Sequence, residues 1–284
     1  MTHRLRVRAV SVSSGHDLDQ PTPTTGSDTT PHVAGDSDSI DPIELYAAAV
    51  DTSDYVARVA PLIRQSVGKI GDLLDIGAGG GQLGRALRAP DRRWTAIEPS
   101  ARMRARLARL DHGPHVLAGG WDAADPPAGA HDTVLAANIA APLQETSAFL
   151  SRCLAWTHRA VVWVVPAQHG PRGMCFAGCL PAEWHGDDET PGADIVLRAL
   201  APSARPTSIT LADWTFSGIV PDIERLASYL ADRLGWPEDR RPDLTAHLAR
   251  QATRDPRGWR LDVPRKSAVL VWLQADGGVH ANDK

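Results

Sequence analysis

Short apolar runs alternate with amphipathic stretches between residues 70 and 165. Strand–helix alternation at this spacing predicts βαβ units, in which helices cover both faces of a parallel sheet. We therefore predict an α/β fold with a doubly wound, mostly parallel, seven-stranded sheet. The predicted strands are residues 70–76, 94–98, 116–118, 133–137, 160–165, 208–216 and 268–274.

Helical periodicity marks the segments around and between these strands. Apolar side chains over 42–67 recur at roughly helical spacing, and Pro61 is expected to kink this helix or split it in two. Two amphipathic helices before the last strand predict a helical cap over 217–262, and a loop rich in Gly, Pro, Cys and His occupies 167–192. The remaining predicted helices are 82–87, 100–110, 143–154, 221–234 and 242–252.

The two ends of the chain differ from its body. Between Ser11 and Asp41 there are six Asp, no Lys or Arg, and many Ser, Thr, Pro and Gly. Such a segment buries too little apolar area to offset its ordering entropy, so residues 1–41 are predicted to be a disordered tail. Residues 277–284 are expected to be loose, which leaves 42–276 as the folded domain.

Composition narrows the class of protein. The chain has 284 residues, 23% of them charged, and a net charge of −4, so a broad nucleic-acid-binding face is not expected. No apolar run reaches the ~18 residues of a membrane span, and no signal peptide is evident. Three cysteines are too few for a disulfide scaffold, so we expect a cytoplasmic protein.

A glycine-rich turn joins the first predicted strand to a helix, in the segment Asp72-Leu-Leu-Asp-Ile-Gly-Ala-Gly-Gly-Gly-Gln-Leu-Gly84. Glycines suit a turn with unusual dihedrals that a ligand approaches closely. Glu98 ends the next strand, where an acid can accept both hydroxyls of a ribose. A dinucleotide site, matching Gly79-x-Gly81-x-x-Gly84, and a turn without a ligand are the alternatives to the interpretation that follows.

The pattern Asp75-x-Gly77-x-Gly79 resembles the first motif of the class I S-adenosylmethionine-dependent methyltransferases, a Rossmann-like superfamily. This resemblance implies that Asp75 lies near the ammonium of the cofactor. A dinucleotide requires no acid there, because a carboxylate beside a pyrophosphate is repulsive.

Three later segments extend the resemblance. Residues 96–100 resemble the second motif, with Glu98 as the ribose acid, and 119–124 stand where the family contacts adenine. Residues 131–138 resemble the fourth strand, whose end faces the reactive methyl. The resemblance implies a methyltransferase that binds S-adenosyl-L-methionine through Asp75, Gly77, Gly79, Gly81, Glu98, Trp121, Asp122 and Asn138.

Two features bear on the methyl acceptor. Asn138 precedes Ile-Ala-Ala-Pro, and this segment is similar to one in the ribosomal-protein lysine methyltransferases. The similarity implies a nitrogen atom as methyl acceptor. The alternative is that Asn138 only caps the turn that follows. The family architecture puts the 167–192 loop beside the methyl-transfer site. His169, Glu183 and His185 are therefore candidate bases, in addition to Asn138 as a catalytic-site residue.

The same loop has the spacing H-x5-C-x3-C-x5-H, with His169, Cys175, Cys179 and His185. Four nitrogen and sulfur ligands suit a tetrahedral Zn²⁺. The alternatives are a substrate-facing loop and buried cysteines that act as small apolar residues. An enzyme with a small-molecule acceptor is the first hypothesis for function; a methyltransferase-like metal-binding assembly factor with a ribosomal or protein partner is the second.

Overall fold

The computed structural model describes residues 40–139, 141–170, 176–185 and 190–274. The chain divides into two compact units, Met1–Asp38 and Ser39–Lys284. All of the first unit lies outside the described residues. Of the tail predicted at 1–41, the structure describes only residues 40 and 41, and the C-terminus predicted to be loose at 277–284 lies outside it entirely. Those two predictions, and the domain limits 42–276, therefore stay predictions.

The second unit is built from α-helices and strands, with short 3-10 turns between some of them. The helices are α1 Pro42–Thr52, α2 Tyr55–Val67, α3 Gln82–Leu87, α4 Ala101–Leu107, α5 Thr146–Trp156, α6 Ala182–His185, α7 Gly192–Ala199, α8 Ile223–Leu234 and α9 Arg241–Gln251. The strands are β1 Leu73–Ile76, β2 Trp94–Glu98, β3 His115–Ala118, β4 His131–Ala137, β5 Thr157–Pro166, β6 Ser208–Val220, β7 Thr253–Asp255 and β8 Gly258–Leu273.

The strands form one sheet in the order β3-β2-β1-β4-β5-β8-β6. Strands β1 to β5 pair in parallel, whereas β8 pairs antiparallel with both β5 and β6. The prediction of a doubly wound, mostly parallel sheet of seven strands is confirmed, with the three-residue β7 added beside β8. Because strand order reverses between β1 and β4, a ligand is expected at the carboxyl ends of these strands.

Each face of the sheet is covered by a separate apolar layer. Leu73 faces one layer, with Ile63 of α2 and Leu226 of α8, and its neighbour Leu74 faces the other, with Phe149 of α5. All five side chains are fully buried, as expected for parallel strands with helices on both sides. In the described ranges, no helix is long and apolar enough to cross a membrane.

Strands β6 and β8 form a hairpin that continues past the carboxyl end of β5. The pairing of β5 with β8 ends at Pro166 and Ser267, but β6 and β8 remain paired as far as Val220 and Trp259. The predicted strands stopped at Phe216 and began only at 268, so the sequence analysis missed this extension. Its strands carry Gly, Pro and charged residues that are typical of loops, and long-range pairing overrides that local preference.

The N-terminal helical stretch divides at Ser53–Asp54, and not at Pro61 as one alternative of the prediction had it. Ser53 Oγ accepts from Ser217 N at 2.8 Å, and Asp54 Oδ1 accepts from Thr215 N at 2.6 Å. The backbone therefore leaves the helix where its side chains bind the edge of β6. Pro61 stays inside α2, so the segment bends where β6 provides partners.

Helices α8 and α9 form within the segment predicted as a helical cap, 217–262, although its two ends belong to β6 and β8. The helices contact each other through apolar side chains with no solvent exposure, Leu230 on α8 and Leu244 and Leu248 on α9 among them. The aromatic-rich hairpin and these helices thus share one apolar layer with the sheet.

Candidate active site

The glycine-rich turn follows β1 and leads into α3, with three glycines in the left-handed region. Gly77, Gly79 and Gly81 have φ values of 63°, 55° and 77°. A Cβ at Gly79 would lie 4.0 Å from its nearest neighbour, the carbonyl oxygen of Gly77, so a ligand can approach this backbone. A Cβ at Gly81 would lie 2.6 Å from Leu107 instead, so Gly81 allows the turn to pack on α4.

Glu98 lies beside this turn at the carboxyl end of β2 and is only 4% exposed. Its Oε2 accepts a hydrogen bond from Gly79 N at 2.7 Å, and its Oε1 accepts one from Ser100 N at 2.8 Å. Each carboxylate oxygen has further acceptor capacity. Glu98 therefore holds the glycine turn in place and can also accept from a ligand there.

Asp75 is a second buried carboxylate, also 4% exposed, in the strand that precedes the turn. A Cβ at Gly84 would lie 2.1 Å from Asp75 Oδ2, so the carboxylate fills the space under α3 that this glycine leaves. Burial raises the pKa of Asp75 to about 7; the nearby Trp94 indole lowers it, and the charge of Glu98 raises it. Among the residues that the structure describes, Trp94 Nε1 has no well-aligned hydrogen-bond partner, so the ionised form of Asp75 has little compensation.

Tyr55, the first residue of α2, was missed by the sequence analysis. It is 3% exposed, and its hydroxyl has no hydrogen-bond partner among the described residues. Burial raises its pKa well above the ordinary value; Tyr46 and Asp75 add to the rise, and the Asn138 side chain opposes it. The sequence did contain a signal, because Tyr55 lies at helical spacing with apolar residues and is therefore expected to be buried. A buried tyrosine hydroxyl usually needs a hydrogen-bond partner, which marks the position as a candidate site residue.

Asn138 stands at the carboxyl end of β4 in the left-handed region, with φ of 56°. Its backbone N donates to Val164 O at 3.0 Å, which ties the residue to β5. Asparagine adopts this conformation more readily than most residues, so the local backbone explains its presence in part. Its side chain is near Tyr55, which places an amide and a phenol together beside the glycine turn.

Helix α1 is tied to the glycine turn and to α4. Asp51 forms an ion pair with Arg106 and accepts from Gln82 Nε2 at 2.8 Å. The same Gln82 nitrogen donates to Ala47 O at 3.0 Å. Since Gln82 begins α3, these contacts fix α1 beside the carboxyl edge of the sheet, where it can restrict access of water.

The segment after β3 is held by α5. Arg152 donates to the carbonyl oxygens of Asp122 and Ala124 at 2.9 and 2.7 Å. Trp121 packs edge-on against Phe149, with ring centroids 5.2 Å apart. The Asp122 side chain is exposed, and the Trp121 ring is held in place; their contacts with adenine stay a prediction.

The structure gives no support to a zinc site. In the part of the chain that the structure describes, no three His, Cys, Asp or Glu residues lie together so that they could hold a metal ion, and Cys175 lies outside it. His169 is exposed, whereas Cys179 is buried, and burial raises the pKa of its thiol to about 12. Cys179 thus behaves as a small apolar residue, one of the alternatives left open.

Helix α6, which carries Glu183 and His185, packs on the α8–α9 pair. Trp184 lies 5.1 Å from Trp236 and 4.7 Å from His247, measured between ring centroids. The structure therefore places α6 against the helix pair. The roles of Glu183, His185 and His169 as bases stay predictions.

Comparisons with known proteins find similar solved structures at low sequence identity. No protein-family model matches the sequence, and no curated protein matches it. Among solved structures, YcgJ of Bacillus subtilis is similar over 77% of this chain and 98% of its own, with 15% identity and a TM-score of 0.46. A protein of Anaeromyxobacter dehalogenans assigned as a type II methyltransferase is similar over 76% and 96%, with 15% identity and a TM-score of 0.47.

A third similar structure contains bound SAM. It is the magnesium protoporphyrin IX methyltransferase of Synechocystis, matched over 86% of this chain and 88% of its own, with 11% identity and a TM-score of 0.39. The strand order and the glycine turn of the present chain are those of a Rossmann-like, doubly wound α/β fold. The fold that the sequence motifs implied is thus confirmed.

Proposed function

We propose that the protein is an S-adenosylmethionine-dependent methyltransferase with a small-molecule acceptor. The observation that carries this proposal is the pair of buried carboxylates, Asp75 and Glu98, on either side of a glycine turn that a ligand can approach. Two carboxylates there would repel the pyrophosphate of a dinucleotide and attract a cation. S-adenosylmethionine carries an ammonium and a sulfonium, so its charge suits this site.

The residues present fit this cofactor. The backbone at Gly79 is accessible, and Glu98 retains acceptor capacity for ribose hydroxyls. Asp75, when ionised, would balance the ammonium. The chain's further contacts with the cofactor would come from Gly77, Gly81, Trp121, Asp122 and Asn138.

The cofactor supplies a methyl group already activated by a sulfonium, so the protein mainly aligns the acceptor and excludes water. Tyr55 suits the first task, because its raised pKa keeps the phenol protonated and able to donate. Its hydroxyl and the Asn138 amide would orient a polar atom of the acceptor. Helix α1, tied to the glycine turn through Asp51, would exclude water.

The small size of the acceptor is inferred from what surrounds Tyr55. Its ring packs against Trp214 at 4.7 Å between centroids, and Tyr46 stacks on Phe216 at 5.7 Å. Trp214 and Phe216 are themselves buried, so this aromatic group forms an enclosed wall and not an open groove. Such a wall suits a compact acceptor with an apolar part better than a folded macromolecule.

We also infer a cytoplasmic location for this activity. Cys153 and Cys179 are free, buried thiols, and burial raises the pKa of both above the ordinary value. Buried free thiols of this kind suit a reducing compartment.

The proposal is tested by calorimetric titration of the full chain with S-adenosylmethionine. We expect saturable binding that Glu98→Gln weakens by about tenfold or more, because a charge-assisted contact is removed. Glu224→Gln, on the exposed first turn of α8, serves as the matched control and should bind like wild type. Absence of binding to the wild-type protein would refute the cofactor assignment.

The acceptor class is tested by transfer of a labelled methyl group. Incubation with a metabolite fraction free of macromolecules should place the label in a small product. Label that appears only in protein or RNA would refute the small-molecule acceptor while leaving the cofactor assignment in place.

A further inference from the structure

A second cleft opens at the amino edge of the sheet, away from the candidate active site. It is formed by the loop between α2 and β1 and the loop between α3 and β2, which precede the strands, whereas the glycine turn follows β1. Its volume is about 350 Å³, which lies in the range of small-ligand pockets. The polar residues that line it are Arg64, Lys69, Arg88, Asp91 and Arg92.

Four of these five side chains are cationic, and Arg92 is balanced in part by Asp72, which follows the lining residue Gly71. Asp91 is the only acid among the lining residues described, and Arg92 lies 3.9 Å from it within the same loop. Arg64 donates to the carbonyl oxygen of Ala86 near the end of α3, and this contact joins α2 to α3. Lys69 and Arg88 form no ion pair in the described part of the chain.

Arg88 provides a second, independent observation. Its Nε is shielded from solvent and has no hydrogen-bond partner in the described ranges. A guanidinium nitrogen without water or a partner is unfavourable, so such a group needs an explanation. A cation at the end of α3 also complements the helix dipole, but that interaction does not satisfy a buried N–H.

We propose that this cleft binds the phosphate group of a small phosphorylated molecule. Arginine donors match phosphate geometry, and Lys69 adds a point charge from the facing loop. The concave shape and the net charge of −4 favour a compact anion over a long nucleic acid, which needs an extended basic surface. The site is independent of the proposed methyl transfer, because the two clefts lie at opposite edges of the sheet.

The test is calorimetric titration of the full chain at about 0.1 M salt, where surface charges are partly screened. The probes are inorganic pyrophosphate, a sugar phosphate and a single-stranded oligonucleotide. Binding of pyrophosphate alone would identify a free inorganic anion as the ligand, and tighter binding of the sugar phosphate would identify an organic one.

Variants decide whether the binding is in this cleft. Arg88→Ala and Lys69→Ala should each weaken binding by about tenfold, since each removes a charged contact. Arg250→Ala, which removes an exposed cation on α9, is the matched control and should bind like wild type. Circular dichroism and the S-adenosylmethionine titration should be unchanged in all three variants.

Three results would overturn the proposal. They are no saturable binding of either phosphate probe by the wild-type protein, equal affinity in the Arg88→Ala and Lys69→Ala variants, and binding of the oligonucleotide alone. Failure of methyl transfer would not bear on it, because no readout here depends on that activity.

Discussion

Asp75→Asn is expected to stabilise the folded protein at neutral and alkaline pH. The pKa of Asp75 is raised from an ordinary 3.8 to about 7, chiefly by burial. At ~1.36 kcal/mol for each pKa unit, ionised Asp75 lowers the free energy of unfolding by about 4 kcal/mol above pH 7. Asparagine keeps the shape and is neutral at every pH, so the variant escapes this loss.

The sign of the pH dependence follows from proton binding. Below pH 3.8 both the folded and the unfolded wild type carry the proton on Asp75, and the two proteins should have similar stability. Between 3.8 and about 7 the unfolded state loses the proton first, so the stability of the wild type falls relative to the variant. Above pH 7 the difference is constant.

Urea unfolding of both proteins, followed by tryptophan fluorescence across this pH range, measures the effect. Asp125→Asn replaces an exposed carboxylate and is the matched control, with no pH-dependent difference expected. Parallel curves for Asp75→Asn and wild type would refute the argument. If Asp75 balances the cofactor ammonium, the stabilised variant should also bind S-adenosylmethionine less tightly, which would explain why a destabilising carboxylate is present.

Three further substitutions probe the site and the hairpin. Glu98→Gln should lower the free energy of unfolding by about 1–3 kcal/mol, because an amide cannot accept from both Gly79 N and Ser100 N; unchanged urea midpoints would contradict this. Tyr55→Phe removes a buried hydroxyl that has no partner among the described residues, so the thermal stability should stay the same or rise. The rate of methyl transfer should fall by about tenfold, and a rate equal to that of the wild type would exclude a role for the phenol. Gly218→Ala places a Cβ 2.0 Å from Phe176 and should destabilise by about 3 kcal/mol, with recovery in a double variant that also carries Phe176→Leu.

The sheet and the glycine turn could be predicted because their signals are local. The run that ends at Ile76 and the glycines after it lie within a few residues of one another. The role of Glu98 could be predicted because an acid at the end of this strand is typical of a ribose-binding site. The hydrogen bond from Gly79 N to Glu98 could not be predicted, because it depends on how two loops meet in the folded protein.

The errors have a common physical origin in contacts between distant residues. The break at Ser53–Asp54 is set by bonds to β6, more than 160 residues later in the chain. Tyr55 was missed for the same reason, since its neighbours Asp75, in β1, and Asn138, just after β4, lie far from it along the chain. The zinc hypothesis rested on spacing along the loop, and spacing alone did not bring His169, Cys179 and His185 together.

The position of β8 constrains how the chain can fold during synthesis. This last strand is made after β6 yet lies between β5 and β6, so β6 cannot reach its place in the sheet until residue 273 has emerged. Helices α1 and α2 are made first among the described elements. Ser53 and Asp54, which lie between them, can form their hydrogen bonds to β6 only after β6 has been made. A ribosome-bound chain would therefore expose this edge of β5 from the time β5 is made until β8 emerges, and a chain that is truncated before β8 would retain that edge as a site for aggregation.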